Sequence, residues 1–173
     1  LTINALFFDP ITEKIIDFVG GKEDISLGVI DFVGKADDRI KEDCLRMLRA
    51  VRFQIRFGFE MDMLTEIAIK ENAHRLKNLS GERVFEELKK GLSLDNPEKY
   101  IKRLQVLGLL DQILPEVDDL VDCRQSKRWH PEGDVFVHTL QVLSNIKSDD
   151  YRVKMAALFH DIGKPHTKGL NSR

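Results

Sequence analysis

The spacing of apolar positions changes along the chain. Ala5-Leu6-Phe7-Phe8 and Ile15-Ile16-Asp17-Phe18-Val19 are apolar runs on either side of Asp9-Pro10-Ile11-Thr12. A proline that presets φ between two such runs predicts a β-hairpin. Gly20-Gly21 and Gly28 bracket a short segment, and Val29-Ile30-Asp31-Phe32-Val33 is a third run rich in β-branched residues, which strands favour. Beyond Gly34 the period becomes helical. Leu45, Leu48, Val51 and Ile55 recur at three, three and four, which predicts one helix over 37–57 with Gly58 as its C-cap.

Helical spacing then dominates. Ile67 and Ile69 mark a second helix, and Ser80 is a suitable N-cap for a third in which Val84, Leu88 and Leu92 recur every four residues. Asn96-Pro97 opens another, running through Tyr100, Leu104 and Leu107 to Gly108, and Leu109 to Leu114 is a short apolar helix ended by Pro115. Residues 121–133 are polar, include Arg124, Lys127 and Arg128, and read as a loop at a domain boundary. Two helices follow, 135–146 and 151–161, with Asp149 or Asp150 capping the second. The expected fold class is α+β, mostly α.

Composition narrows the class. The chain has 173 residues, 42% apolar and 32% charged, with no biased tract. That excludes collagen-like, mucin-like and wholly disordered chains and allows one large domain or two small ones. Lys plus Arg is 27 against 29 for Asp plus Glu, so any nucleic-acid surface must be a local basic face. Cys44 and Cys123 form no metal or redox spacing and read as free thiols of a reducing compartment. No apolar run approaches the roughly 18 residues of a membrane helix and no signal segment is present, so a soluble cytoplasmic protein with no membrane partner is expected. Starting at Leu1 within a strand and ending at Arg173 just past a histidine-rich motif, the chain reads as a fragment at both ends.

The predicted helix over 37–57 separates its charges from its apolar stripe. With Asp43 at zero and about 100° per residue, Leu45, Leu48, Val51 and Ile55 fall at roughly 80–200°, and Arg39, Glu42, Arg46 and Arg49 at about 240–320°. Asp43 and Arg46 are i and i+3, an acceptor beside a donor. Cytosine and adenine both present an exocyclic amine beside an unprotonated ring nitrogen, so such a pair reads C and A and rejects G and U, whose pattern is reversed. The same spacing also fits a solvated helix face with ordinary ion pairs.

His130, His138, His160-Asp161 and His166 place four of the five histidines in the last 44 residues. An antiparallel helix pair brings His138, His160 and Asp161 together as two imidazoles and a carboxylate, a divalent-metal set. Asp134, four residues before His138, is placed to orient its ring. The alternative is a His-Asp cap at a helix end. His74 reads as a surface or cap residue, Trp129 as a packing residue, and the Arg124, Lys127 and Arg128 group as a solvated loop or a contact to RNA phosphates.

The motifs carry a resemblance. Leu1-Thr2-Ile3-Asn4-Ala5-Leu6, Asp9-Pro10 and Ile16-Asp17-Phe18-Val19-Gly20-Gly21 resemble the end of the nucleotidyltransferase head in class II tRNA CCA-adding enzymes and bacterial poly(A) polymerases. Glu42-Asp43-Cys44-Leu45-Arg46-Met47-Leu48-Arg49-Ala50-Val51-Arg52-Phe53 resembles their nucleotide-selecting motif, and Gly81-Glu82-Arg83-Val84 a later neck motif. The similarity spans nearly the whole chain. It implies addition of C and/or A to the 3′ end of tRNA from CTP and ATP with release of pyrophosphate. Asp43 and Arg46 would be the template for the base, with Glu42 orienting the arginine, Asn4 near the ribose or triphosphate, Arg49 near the phosphates or as helix support, and Arg39 also nucleotide-binding. Gly34-Lys35-Ala36 and Cys44 depart from the family pattern without removing a proposed contact. The family's Gly-Gly-x-x-Arg-Asp stretch and its Asp-x-Asp pair for Mg²⁺ are missing, so these residues are expected to hold no catalytic group and to be inactive alone.

His138-Thr139 and Leu158-Phe159-His160-Asp161-Ile162-Gly163-Lys164 resemble the opening of an HD phosphohydrolase domain, in which His138, His160 and Asp161 would be metal ligands and Lys164 would lie near a phosphate. The expected organisation is 1–33 as the end of the head, 34–95 as a nucleotide-selecting neck, 96–128 as a body and 129–173 as the start of the HD domain. Two other functions stay open at this point: a metal-dependent HD phosphohydrolase, and a tRNA-binding module without catalysis.

Overall fold

The computed structural model describes residues 1–125 and 132–167. Lys127, Arg128, Trp129 and His130 lie outside the described residues. By packing, the chain divides into two compact units, Leu1–Glu87 and Leu88–Arg173.

In the first unit the predicted hairpin forms. Strands β1 (Phe7–Asp9) and β2 (Lys14–Ile16) pair antiparallel with Phe7 opposite Ile16. The Asp9 carboxylate closes the turn by accepting from Ile11 N (2.9 Å) and Thr12 Oγ1 (2.6 Å). The glycine-bracketed segment is a helix, α1 (Gly21–Leu27), which its seven residues are too few to announce by periodicity. Its first residue must be glycine-sized, because a Cβ at Gly21 would lie 2.5 Å from the Thr2 carbonyl oxygen. The third apolar run is only partly a strand: β3 (Val29–Ile30) pairs parallel with β4 (Glu60–Met61). Phe32 is buried without belonging to it.

The single helix expected over 37–57 is two helices, α2 (Ala36–Glu42) and α3 (Leu45–Phe57). Asp43 is the break. Its backbone is extended (φ −157°, ψ 104°), its side-chain Oδ1 accepts from Leu45 N at 3.1 Å, and its carbonyl accepts from Arg46 N. A short acidic side chain competes with the helix for neighbouring N–H groups and starts a new one. Gly58 closes α3 in the left-handed conformation that glycine tolerates (φ 67°). Helix α4 (Met63–Asn72) is capped by Asp62, which accepts from Leu64 N and Thr65 N, and α5 is Gly81–Leu92. Ile30, Phe32, Ile40, Met47, Leu48, Val51, Ile69 and Leu76 are buried in this unit.

The second unit holds α6 (Pro97–Val106), α7 (Leu110–Ile113), α8 (Pro115–Asp118), α9 (Val135–Asn145), α10 (Tyr151–Phe159) and α11 (Lys164–Thr167). Pro115 ends one short helix and begins the next, where its missing N–H costs nothing. Tyr100, Ile101, Leu104, Leu110, Val117, Leu120, Leu143 and Leu158 are buried. The polar stretch over 121–133 is stitched into this unit at its described ends: Phe136 N donates to the Leu120 carbonyl, Val135 N to Cys123 and Gln125 N to Gly133. Asp150, not Asp149, caps α10 by accepting from Arg152 N at 2.9 Å.

Candidate functional site

The first unit contains a cavity of about 270 Å³ lined by Leu1, Asn4, Ala5, Phe32, Val33, Arg39, Arg46 and Arg49. Four of the six residues expected to meet a nucleotide thus converge on one space. They come from three local elements. Thr2, buried, donates its N–H to the Asp31 carbonyl (3.0 Å) and so pins the short 3-10 turn Thr2–Asn4 that presents Asn4. Arg39 is on α2, and Arg46 and Arg49 share one face of α3, three residues apart.

Glu42 holds the two arginines that flank it. Its carboxylate accepts from Arg39 Nη1 through both oxygens (2.9 Å each) and from Arg46 Nη1 at 2.7 Å. Arg39 Nε donates to the Val33 carbonyl (2.9 Å) and Arg46 Nη1 also to the Arg39 carbonyl (3.2 Å). The Arg39 hydrogen bonds, then those of Arg46, hold the Glu42 carboxyl below its ordinary range. A guanidinium fixed on one side by a carboxylate keeps its remaining donors aimed, which suits planar recognition of a base edge or phosphate.

Asp43 and Arg46 do not share the continuous helix that their spacing implied. The helix break turns Asp43 toward α5, where Arg83 Nη2 donates to both its oxygens at 3.0 and 2.9 Å. Arg83 belongs to the quoted neck motif, but a partner forty residues away leaves no local signal in the sequence. One turn further along α5, Glu87 forms a buried ion pair with Arg52 of α3. Arg52 lies over the Phe53 ring, 4.3 Å from its centroid. The Asp43–Arg83 and Arg52–Glu87 pairs fix the start and middle of α3, and with it Arg46 and Arg49, against α5.

The second unit brings the predicted metal set together. His138, His160 and Asp161 each offer a ligand atom within 4.8 Å of the others, and the imidazole centroids are 5.5 Å apart. Asp161 Oδ2 is enclosed and accepts no directed hydrogen bond from the described residues, although His160 Nε2 (3.2 Å) and Lys164 Nζ (2.6 Å) are close enough for ion pairing. Two imidazoles and an enclosed carboxylate oxygen fit a borderline divalent ion such as zinc or nickel. Asp134 does not orient His138: its carboxylate caps α9 by accepting from Val137 N (2.9 Å). Glu132 takes that place, with Oε1 2.5 Å from His138 Nδ1. Lys164 reaches Asp161 and, at 3.1 Å, Gln125 Oε1. His74 is exposed, as expected.

Comparison with known proteins follows the same lines. Residues 58–121 match the family model described as the probable RNA and SrmB-binding site of polymerase A. A multifunctional CCA protein of Neisseria gonorrhoeae is 41% identical over 174 residues, covering 96% of this chain and 41% of that protein. Over nearly its whole length the chain is similar to tRNA nucleotidyltransferases. It spans about 41% of the length of that curated relative. Two solved members show the same fold at 25% identity. The CCA-adding enzyme of Bacillus stearothermophilus in complex with CTP superposes with a TM-score of 0.62, covering 99% of this chain and 53% of its own. The Thermotoga maritima CCA-adding enzyme complexed with tRNA superposes with a TM-score of 0.59, covering 97% and 46%. Among the described residues no helix is long and apolar enough to cross a membrane.

Proposed function

We propose that this chain carries the nucleotide-selecting part of an enzyme that adds C and A to the 3′ end of tRNA from CTP and ATP. The observation that carries this reading is the cavity lined by Asn4, Arg39, Arg46 and Arg49, with Glu42 clamping two of its three arginines. Three guanidinia around one space suit a triphosphate, and Arg46 donates to the ring nitrogen of C or A. Asp43, held by Arg83, accepts from the exocyclic amine with lone pairs that the arginine leaves free. In the reaction the RNA 3′-oxygen forms a bond to the α-phosphorus, the bond to the β-phosphate bridge breaks, and pyrophosphate leaves. Mg²⁺ supplies charge neutralisation to such a transfer, and its ligands belong outside these residues. A cytoplasmic setting goes with the free thiols Cys44 and Cys123.

By descent, 1–33 is the end of the head, 34–95 the neck, 96–128 the body and 129–173 the start of an HD domain. His138, His160 and Asp161 hold a divalent ion there and support hydrolysis of a phosphate ester, a second activity that the convergence of their ligand atoms favours.

The test is 3′-end extension of a tRNA transcript lacking CCA by the protein at its relatives' full length, with each nucleotide supplied singly and CTP and ATP together. Addition of C and A but not G or U is expected. Incorporation of all four, or none, overturns the reading.

A further inference from the structure

A neutral imidazole carries its proton on one nitrogen and offers the other to a metal, so whatever holds the proton decides which nitrogen binds. The rings of His138 and His160 are both held at Nδ1, by acceptors of different origin. His160 Nδ1 lies 2.7 Å from the Ala157 carbonyl oxygen, one turn back in α10. A carbonyl only accepts, so Nδ1 carries the proton and Nε2 presents its lone pair, 3.2 Å from the enclosed Asp161 Oδ2. Two acceptors that close together suit a cation, a place that Lys164 Nζ, 2.6 Å from the same oxygen, partly fills. His138 Nδ1 meets Glu132 Oε1 at 2.5 Å, and the Glu132 side chain is only 9% exposed.

We infer that Glu132 is a positioning residue for the metal centre: by accepting the Nδ1 proton of His138 it turns Nε2 toward His160 and Asp161. The inference rests on the metal reading of these three residues given above. Glu132 is itself held, since Gln125 Nε2 reaches its Oε1 at 3.5 Å while Gln125 Oε1 accepts from Lys164. A chain of contacts therefore runs from Asp161 through Lys164, Gln125 and Glu132 to His138. Asp134 cannot substitute, because its carboxylate is committed to the start of α9.

The experiment uses the 173-residue chain. Nitrogen-15 NMR of the histidine rings without metal, at pH about 8 where free imidazole is neutral, reads the tautomers, and calorimetric titration with Zn²⁺ reads affinity. In the wild type both rings carry the proton on Nδ1. In Glu132→Ala, His138 shifts toward the other tautomer while His160 does not, and the Zn²⁺ dissociation constant rises by about 10- to 100-fold, as for removal of other such supporting groups. Glu132→Gln keeps an accepting oxygen and stays within a few-fold of the wild type. Asp134→Ser, which preserves the cap, changes neither readout. His138 protonated on Nε2 in the wild type overturns the inference without any variant. Unchanged Zn²⁺ affinity in Glu132→Ala overturns it while the metal reading stands. Failure of the wild type to bind Zn²⁺, with the Nδ1 tautomers in place, overturns the metal reading and the role of Glu132 with it.

Discussion

Replacing Glu87 by alanine leaves the Arg52 guanidinium, whose side chain is 10% exposed, without the carboxylate that is 3% exposed beside it. An uncompensated buried charge costs about 3–5 kcal/mol. The neighbouring Asp43–Arg83 pair is a control of the opposite kind, with side chains 29% and 48% exposed, so solvent screening limits the cost of Arg83→Ala to about 0–1 kcal/mol. The two contacts lie one turn apart on α5 and differ mainly in burial. Urea unfolding of the 173-residue chain, followed by circular dichroism, separates them. At a slope of up to about 3 kcal/mol per molar, Glu87→Ala lowers the midpoint of the first unit's transition by about 1 M or more. The apolar double variant Arg52→Met with Glu87→Leu recovers most of that loss, because it buries no charge. A Glu87→Ala midpoint close to wild type, or an equal loss in Arg83→Ala, refutes burial as the deciding difference.

Three further outcomes follow from named contacts. Gly91→Ala gains about 1 kcal/mol of helix propensity but sets a Cβ 2.0 Å from the ring of the buried Tyr100. Overpacking of about 1–3 kcal/mol wins, so a lowered unfolding midpoint is expected and a raised one contradicts it. Asp150 is held at about 2, first by the Arg152 side-chain hydrogen bond and then by the Arg152 backbone N–H. Since its folded value lies below the unfolded one of about 3.9, its stabilisation is present above about pH 4 and is lost as pH falls through about 2. An NMR titration of its carboxyl carbon with a midpoint near 4 contradicts this. Glu42→Gln weakens the clamp on Arg39 and Arg46, and the KM for CTP and ATP rises in the full-length protein; an unchanged KM removes Glu42 from the site.

Legibility from sequence followed the range of each interaction. Helices α3, α5 and α9 announce themselves because one buried face repeats every three or four residues. The break at Asp43 does not, because an aspartate within an apolar-periodic segment looks the same whether it points to solvent or captures Leu45 N. Convergence of Asn4 with Arg39, Arg46 and Arg49 depends on the Thr2–Asp31 hydrogen bond across 29 residues, which no local pattern encodes. The meeting of His138, His160 and Asp161 was readable from helix pairing. The carboxylate beside His138 was not, because Asp134 and Glu132 both precede α9 and only the geometry shows which one the helix N-terminus uses.

The base-reading role proposed for Asp43 has a direct test in the full-length protein: kcat/KM for CTP against an analogue lacking the exocyclic amine, measured in the wild type and in Asp43→Ala. The wild type should prefer CTP by about tenfold or more, the value of one unmet buried hydrogen-bonding group, and Asp43→Ala should use the two alike. Equal use by the wild type, or discrimination that survives in Asp43→Ala, contradicts the assignment of Asp43 as the group that reads the amine.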